Sequence, residues 1–268
     1  MKIAITGKGG VGKTTVSALL AETYVRRGRG VLAVDMDPSP CLADALGVPD
    51  DLRSSLRPIS EMDELIEERT GAKPGASGGF FTLNPRVEDL PDRFSVLHRG
   101  VRLLEMGRAE TGGAGCICPE SAMLRTLFTH LLFRRDEVLL LDMYAGVEHL
   151  GRATVDFVDA MLIVVEPSRS SLTTADQIEE MAHDIGLTRL WLVGNRVRNP
   201  EDLVFLEAAA TGARLLGHLP EEPTAIEADR RGEPVFEAAP SLRGAAAEIA
   251  DALDRLVGNL EPVTGDER

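Results

Sequence analysis

Aromatic side chains make up only 4% of this 268-residue chain, with a single Trp and two Tyr. Its hydrophobic content of 44% allows a sizeable core, which must therefore be built from Leu, Val, Ile and Ala. Basic residues are also short: 29 Lys and Arg against 43 Asp and Glu leave a formal net charge of −14. That balance argues against a nucleic-acid partner and against anionic lipid, since both need basic patches. Three cysteines, an odd number in a long chain, do not make a disulfide framework. No apolar run approaches the roughly 20 residues needed to cross a bilayer. The opening stretch M-K-I-A-I-T-G-K-G-G lacks the basic and apolar regions of a secretory signal. The expected location is the cytoplasm, where thiols stay reduced and open to metals.

What the chain does contain is regular alternation. Short β-branched runs at 2–6, 30–35, 95–98, 137–142, 160–166, 189–195 and 215–219 read as strands. Helical periodicity appears at 14–27, 119–133, 172–185, 201–209 and 241–257. Strands that alternate with helices and are apolar on both faces predict an α/β fold, a doubly wound and mostly parallel sheet with helices on each side. The stretch 49–93 is the least regular and reads as an insertion holding one amphipathic helix at 59–70. We expect one domain over 1–260 and a disordered tail at 261–268. No internal repeat is evident.

The segment G-K-G-G-V-G-K-T, from Gly7 to Thr14, follows a strand and opens a helix, as a P-loop requires. Gly7, Gly9, Gly10 and Gly12 let the backbone curl so that its N–H groups converge on a polyphosphate. The helix starting at Lys13 adds its positive end. Lys13 is placed to contact the β- and γ-phosphates and Thr14 to ligate Mg²⁺. The expected nucleotide contacts run from Gly7 through Lys8, Gly9, Gly10, Val11, Gly12, Lys13 and Thr14 to Thr15. A P-loop NTPase taking ATP and releasing ADP is the implied class.

Two acidic strand ends complete this site. V-L-A-V-D-M-D-P carries Asp35 and Asp37 where doubly wound sheets place their ligands. Asp35 either supports its neighbour or caps the strand. V-L-L-L-D-M-Y-A-G ends in Asp142, in the Walker B position, suited to hold Mg²⁺. Lys8, directly after the first glycine, is not demanded by the P-loop pattern. It marks the variant carried by the MinD, ParA, ArsA and nitrogenase iron-protein group, of SIMIBI type, which the chain resembles. The resemblance implies that Lys8 reaches the nucleotide of a partner copy, so that ATP holds a homodimer face to face. It also implies that Asp37 orients or activates the attacking water, with Lys8 and Lys13 as the other catalytic groups. Asn195, in L-V-G-N-R, stands where this group reads adenine, and an amide suits that edge because it donates and accepts.

Cys116 and Cys118, in G-A-G-C-I-C-P-E, are one residue apart in a glycine-rich loop at about 112–119. Two thiolates supply half of the four ligands that zinc or nickel(II) takes. The histidines are scattered and Cys41 sits apart, so the missing pair must come from a second copy across a twofold axis. Apolar filling and a redox pair are the other uses of adjacent thiols. Zinc, nickel and copper(I) all accept thiolates, so the residues do not name the metal.

G-K-G-G-V-G-K-T-T, V-D-M-D-P, G-A-G-C-I-C-P-E-S-A-M-L-R and D-M-Y-A-G-V-E-H-L-G-R, in this order, resemble the CooC family of nickel-inserting accessory ATPases. The resemblance covers residues 1 to about 258. It implies an ATPase that pairs on ATP, binds one Ni²⁺ (or Zn²⁺) through Cys116 and Cys118 of two copies, and serves the apoenzyme of nickel carbon monoxide dehydrogenase. Tyr144 departs from the smaller or acidic residue expected in the second switch, and Pro40 and Cys41 depart from the pattern of the first. Two rival classes share the P-loop. A MinD- or ParA-like positioning ATPase would need a basic amphipathic tail or a DNA surface. Here the last helix pairs an acidic face with a stripe of Leu242, Ile249, Leu253 and Leu256 that reads as core. A reductase like the nitrogenase iron protein would bridge two copies with a [4Fe–4S] cluster, but its cysteines are widely separated in sequence.

Overall fold

Six consecutive buried residues, Lys2–Gly7, form strand β1. They are followed by β2 (Val31–Asp35), β3 (Val96–His98), β4 (Val101–Glu105), β5 (Val138–Asp142), β6 (Ala160–Val165), β7 (Leu190–Val197) and β8 (Arg214–Pro220). The computed structural model describes residues 1–75, 80–107, 118–133, 137–147, 157–209 and 212–258. The strands make one eight-stranded sheet in the order β3-β4-β2-β5-β1-β6-β7-β8. Every pairing is parallel except that of β3 with β4. β2, β5 and β6 are buried at every position, which is why their sequences are apolar without alternation.

The helices are α1 (Lys13–Arg26), α2 (Leu42–Ala45), α3 (Asp50–Arg53), α4 (Asp63–Thr70), α5 (Leu90–Phe94), α6 (Pro119–Phe133), α7 (Arg169–Asp184), α8 (Pro200–Ala209), α9 (Pro223–Arg231), α10 (Val235–Ala238) and α11 (Pro240–Gly258). One face of the sheet packs on α1, α10 and α11, with Leu19, Tyr24, Phe236 and Ile249 in the layer. The other packs on α4, α6, α7 and α8, through Ile66, Leu127, Ile178 and Leu206. The doubly wound α/β architecture expected from the alternation is therefore the one observed. In α11, Leu242, Ile249 and Leu253 are buried against the core. Among the described residues no helix is long and apolar enough to cross a membrane.

Three readings need correction. The strand at 95–98 is a short edge strand, and the inner strand β4 beside it is absent from the expected set. The two form a hairpin whose turn residues, Arg99 and Gly100, have φ of 49° and 85°. Such a turn normally carries Asn-Gly or Asp-Gly, and an Arg at its first position hides it. Second, the helix at 59–70 breaks. Met62 has φ −92° and ψ 72°, splitting it into a 3₁₀ turn (Ile59–Glu61) and α4. The Ser60 N–H donates to the Met106 carbonyl at 3.1 Å, fixing that turn to the end of β4. Third, the irregular 49–93 stretch holds α3, α4 and α5 as well as that turn. The tail at 261–268 lies outside the described residues.

Candidate functional site

The P-loop leaves β1 in the middle of the sheet, between β5 and β6. Two glycines are imposed by their surroundings. Gly7, at φ 145°, lies so close to the Val164 carbonyl that a Cβ would collide with it. Gly12, at φ 92°, ends the loop, and a Cβ there would strike the Asn195 amide. At Gly9 and Gly10, by contrast, the space around the backbone is open. Lys13 is buried and its Nζ turns back to donate to the Lys8 carbonyl at 3.4 Å. Thr14 and Thr15 are half-buried in the first turn of α1. Together these residues form a loop lined by backbone and an ammonium group, the chemistry that a polyphosphate needs.

Three carboxylates stand in one row at the carboxyl ends of adjacent strands. Asp35 pairs in register with Glu105 on one side and with Asp142 on the other. All three are buried. Burial, then the neighbouring Asp35 charge, pushes the Asp142 carboxyl up to about 7. The Thr14 and Ser17 hydroxyls and the Lys13 ammonium pull it the other way. Asp142 Oδ1 is buried without a hydrogen-bond partner. An unpaired oxygen beside the Thr14 hydroxyl fits Mg²⁺, which takes oxygen ligands.

The choice left open for Asp35 is settled by its partners. Its Oδ1 accepts the Asp37 N–H at 3.0 Å, and its Oδ2 accepts the Cys41 and Leu42 N–H groups, both at 2.9 Å. Asp35 shapes the loop from Asp37 to Leu42 rather than merely ending a strand. Asp37 is half-exposed, and its Oδ1 accepts the Ser39 N–H at 2.9 Å. Cys41 is exposed, and its Sγ donates to the Ser39 carbonyl at 3.2 Å.

Asn195 lies at the edge of this site with its amide engaged by protein. Its Nδ2 donates to the Val11 carbonyl at 2.7 Å, and its Oδ1 accepts the Arg196 N–H at 2.9 Å. In this arrangement it braces the P-loop. Lys8 donates from Nζ to Ser170 Oγ of its own chain at 2.8 Å. Thr6, which precedes the P-loop, escaped the sequence reading. Its fully buried Oγ1 lies 3.1 Å from both the Tyr144 and Gly146 carbonyls and accepts the Gly146 N–H at 3.2 Å. The only hint was a hydroxyl at a position where β1 otherwise reads apolar.

Cys118 stands just ahead of α6, and its carbonyl accepts the Ala122 N–H at 3.0 Å. Its half-buried Sγ is 3.0 Å from Ser121 Oγ. Cys116 and residues 112–117 lie outside the described residues. Among the described residues no group of three or more His, Cys, Asp or Glu side chains is placed to hold a metal. One copy, as described, brings together the nucleotide residues but not a closed metal site.

Comparison with known proteins agrees with this geometry. Residues 2–235 match the CobQ/CobB/MinD/ParA nucleotide-binding domain. The carbon monoxide dehydrogenase accessory protein CooC of Rhodospirillum rubrum is 44% identical over 98% of this chain and 100% of its own. An uncharacterised ATP-binding protein of Methanocaldococcus jannaschii is 46% identical over 88% of this chain and 91% of its own. Among solved structures, MinD complexed with Mg-ADP from Pyrococcus horikoshii superposes with a TM-score of 0.64 at 23% identity, covering 96% of each chain. The MinC:MinD complex of Aquifex aeolicus gives 0.66 at 22% identity, over 100% of this chain and 98% of that one.

Proposed function

We propose a metal-delivery role for this chain, which belongs to the CobQ/CobB/MinD/ParA nucleotide-binding family and, within it, to the group of CooC. It is an ATPase of the MinD/ParA type. In this reading the P-loop backbone from Gly7 to Thr15 and Lys13 hold the phosphates of ATP. Asp142 and Thr14 hold Mg²⁺, which offsets phosphate charge. Asp37 orients the attacking water. Lys8 leaves Ser170 and reaches the nucleotide of a second copy, and Asn195 keeps the loop in shape beside the base. Two copies then bring their Cys116 and Cys118 together around one nickel or zinc ion. The cargo passes to apo carbon monoxide dehydrogenase, the enzyme named for the R. rubrum relative.

One observation carries this reading. α6 begins beside Cys118 and leads through 134–137 into β5, which ends at Asp142. The helix must run back along the parallel strands to make that connection, so its first turn lies at the carboxyl edge of the sheet. The Cys118 thiol and the Asp142 carboxylate therefore stand at the same edge, joined by one helix–strand unit. A change in the switches on nucleotide hydrolysis is then transmitted over a short distance.

Metal content of the parent and of Cys118→Ser tests this, measured with ADP and with a nonhydrolysable ATP analogue. The reading expects one divalent ion per two chains in the ATP-like state and loss of binding in the variant. One ion per separate chain, unaffected by the substitution, contradicts it.

A further inference from the structure

Lys8 rests on a neutral partner. Its Nζ donates to Ser170 Oγ at 2.8 Å, and among the described residues no carboxylate pairs with it directly. Ser170 lies in the first turn of α7, the positive end of a 16-residue helix, which repels an ammonium group. The compensating charge is reached through hydroxyls. Ser170 Oγ is 3.5 Å from Ser168 Oγ, and Ser168 Oγ donates to Glu166 Oε1 at 3.4 Å. Since the one proton of Ser168 goes to the carboxylate, Ser170 is the donor between the two serines. Ser168 also accepts the Ser171 N–H at 3.3 Å as the cap of α7, which fixes it in place. Every donor in this chain points from the ammonium group toward the carboxylate, an arrangement in which the bonds polarise one another.

The other oxygen of that carboxylate is taken by Arg196. Arg196 Nη1 lies 3.2 Å from Glu166 Oε2, and the two side chains are 46% and 29% exposed. An ion pair so open to solvent adds little to stability. Arg196 has φ 56°, a conformation that residues with a Cβ rarely adopt. It follows Asn195, whose amide holds the Val11 carbonyl of the P-loop. The path from Lys8 through the serines, Glu166 and Arg196 therefore returns to the same loop three residues further on. Stability of the fold gives no reason for an arginine here.

We infer that Glu166 and Arg196 are positioning residues for Lys8. Glu166 holds the lysine in its own chain through the two serines, and Arg196 weakens that hold by drawing on the same carboxylate. This inference rests on the reading that Lys8 crosses to the nucleotide of a second copy. Pairing on ATP must then break the hold first, so the charge on Glu166 sets how readily two chains join. A triphosphate on the partner offers several negative charges against one remote carboxylate, and Lys8 moves to it.

Sedimentation velocity of the full chain tests this, with saturating Mg²⁺ and nonhydrolysable ATP analogue over a range of protein concentrations. Saturation removes any change in nucleotide affinity from the result. The proteins are the parent, Glu166→Gln, Arg196→Gln, the double variant, Ser170→Ala and Lys8→Ala. Glu166→Gln should tighten pairing roughly threefold, and Arg196→Gln should loosen it by a similar factor. The double variant should pair as Glu166→Gln does, because Arg196 acts only through that carboxylate. Ser170→Ala should tighten pairing at least as much as Glu166→Gln. Shifts of the same sign in the two single variants overturn the inference, since loss of a structural ion pair would move both alike. Looser pairing in Ser170→Ala also overturns it, by placing that hydroxyl in the paired state. No shift in either single variant, with Lys8→Ala unable to pair, sinks the inference and leaves the role of Lys8 intact. If the parent stays single, or Lys8→Ala pairs as tightly as the parent, the crossing of Lys8 itself fails and the inference with it.

Discussion

Asn195 donates from Nδ2 to the Val11 carbonyl at 2.7 Å, and the Cβ that Gly12 lacks would occupy the place of that same amide. β7 and the P-loop are thus fitted to one another: the loop can pass because residue 12 has no side chain, and it is held because residue 195 has an amide. Removing the amide leaves the buried Val11 carbonyl without its partner, at a cost of about 1–3 kcal/mol. Asn195→Ala should therefore weaken ATP binding by roughly tenfold or more, read by titration with a fluorescent ATP analogue. An unchanged affinity would mean that the loop holds its shape without this brace.

The Asp142 carboxyl titrates at about 7, well above its ordinary value, because it is buried and Asp35 is beside it. The folded chain thus keeps a proton that the unfolded chain gives up near pH 4. Folding takes up that proton between about pH 4 and pH 7, so this group's contribution to stability falls as pH rises through that window. Asp142→Asn removes the dependence. The metal-free variant should melt higher than the parent at pH 8 and close to it at pH 5, while Mg²⁺-dependent hydrolysis is lost. Melting curves across pH check this, and parallel curves for the two proteins would contradict it.

Asp35 accepts three N–H groups from the loop after β2, those of Asp37, Cys41 and Leu42. An amide at this position can accept at only one atom. Asp35→Asn should speed hydrogen exchange at 37, 41 and 42 and lower kcat more than it raises KM, because the loop that carries Asp37 loses its anchor. Amide exchange followed by mass spectrometry gives the result directly. Protection equal to the parent's would show that the switch is held by other contacts.

Thr6 ties the strand before the P-loop to the backbone of Tyr144 and Gly146. Thr6→Val keeps the shape and deletes the hydroxyl, leaving the Gly146 N–H unpaired at a cost of about 1–3 kcal/mol. We expect a lower turnover with Thr6→Val and recovery with Thr6→Ser, at nearly constant ATP affinity. Equal turnover in parent and valine variant would show that the tie from Thr6 to Tyr144 and Gly146 has no part in hydrolysis.

The P-loop turn, the strand that ends at Asp142 and the doubly wound sheet were legible because each rests on a local pattern: glycine spacing, an apolar run ending in Asp, strands alternating with helices. β4 was not, since its turn uses Arg99 in a backbone conformation usually given to Asn or Gly. The break at Met62 was hidden because the Ser60 N–H is claimed by Met106, a contact no periodicity reports. The role of Asp35, the brace from Asn195 and the tie from Thr6 all join residues distant in sequence or depend on loop shape. Residue type alone left Asp35 ambiguous and gave Asn195 a single role where the fold adds another.

Native mass spectrometry of the full chain with Mg²⁺, a nonhydrolysable ATP analogue and Ni²⁺ tests the central claim most directly. The account predicts a species of two chains, two nucleotides and one nickel ion that reverts to single chains with ADP and does not form with Cys118→Ser. Single chains that each carry nucleotide and nickel under the same conditions would contradict it.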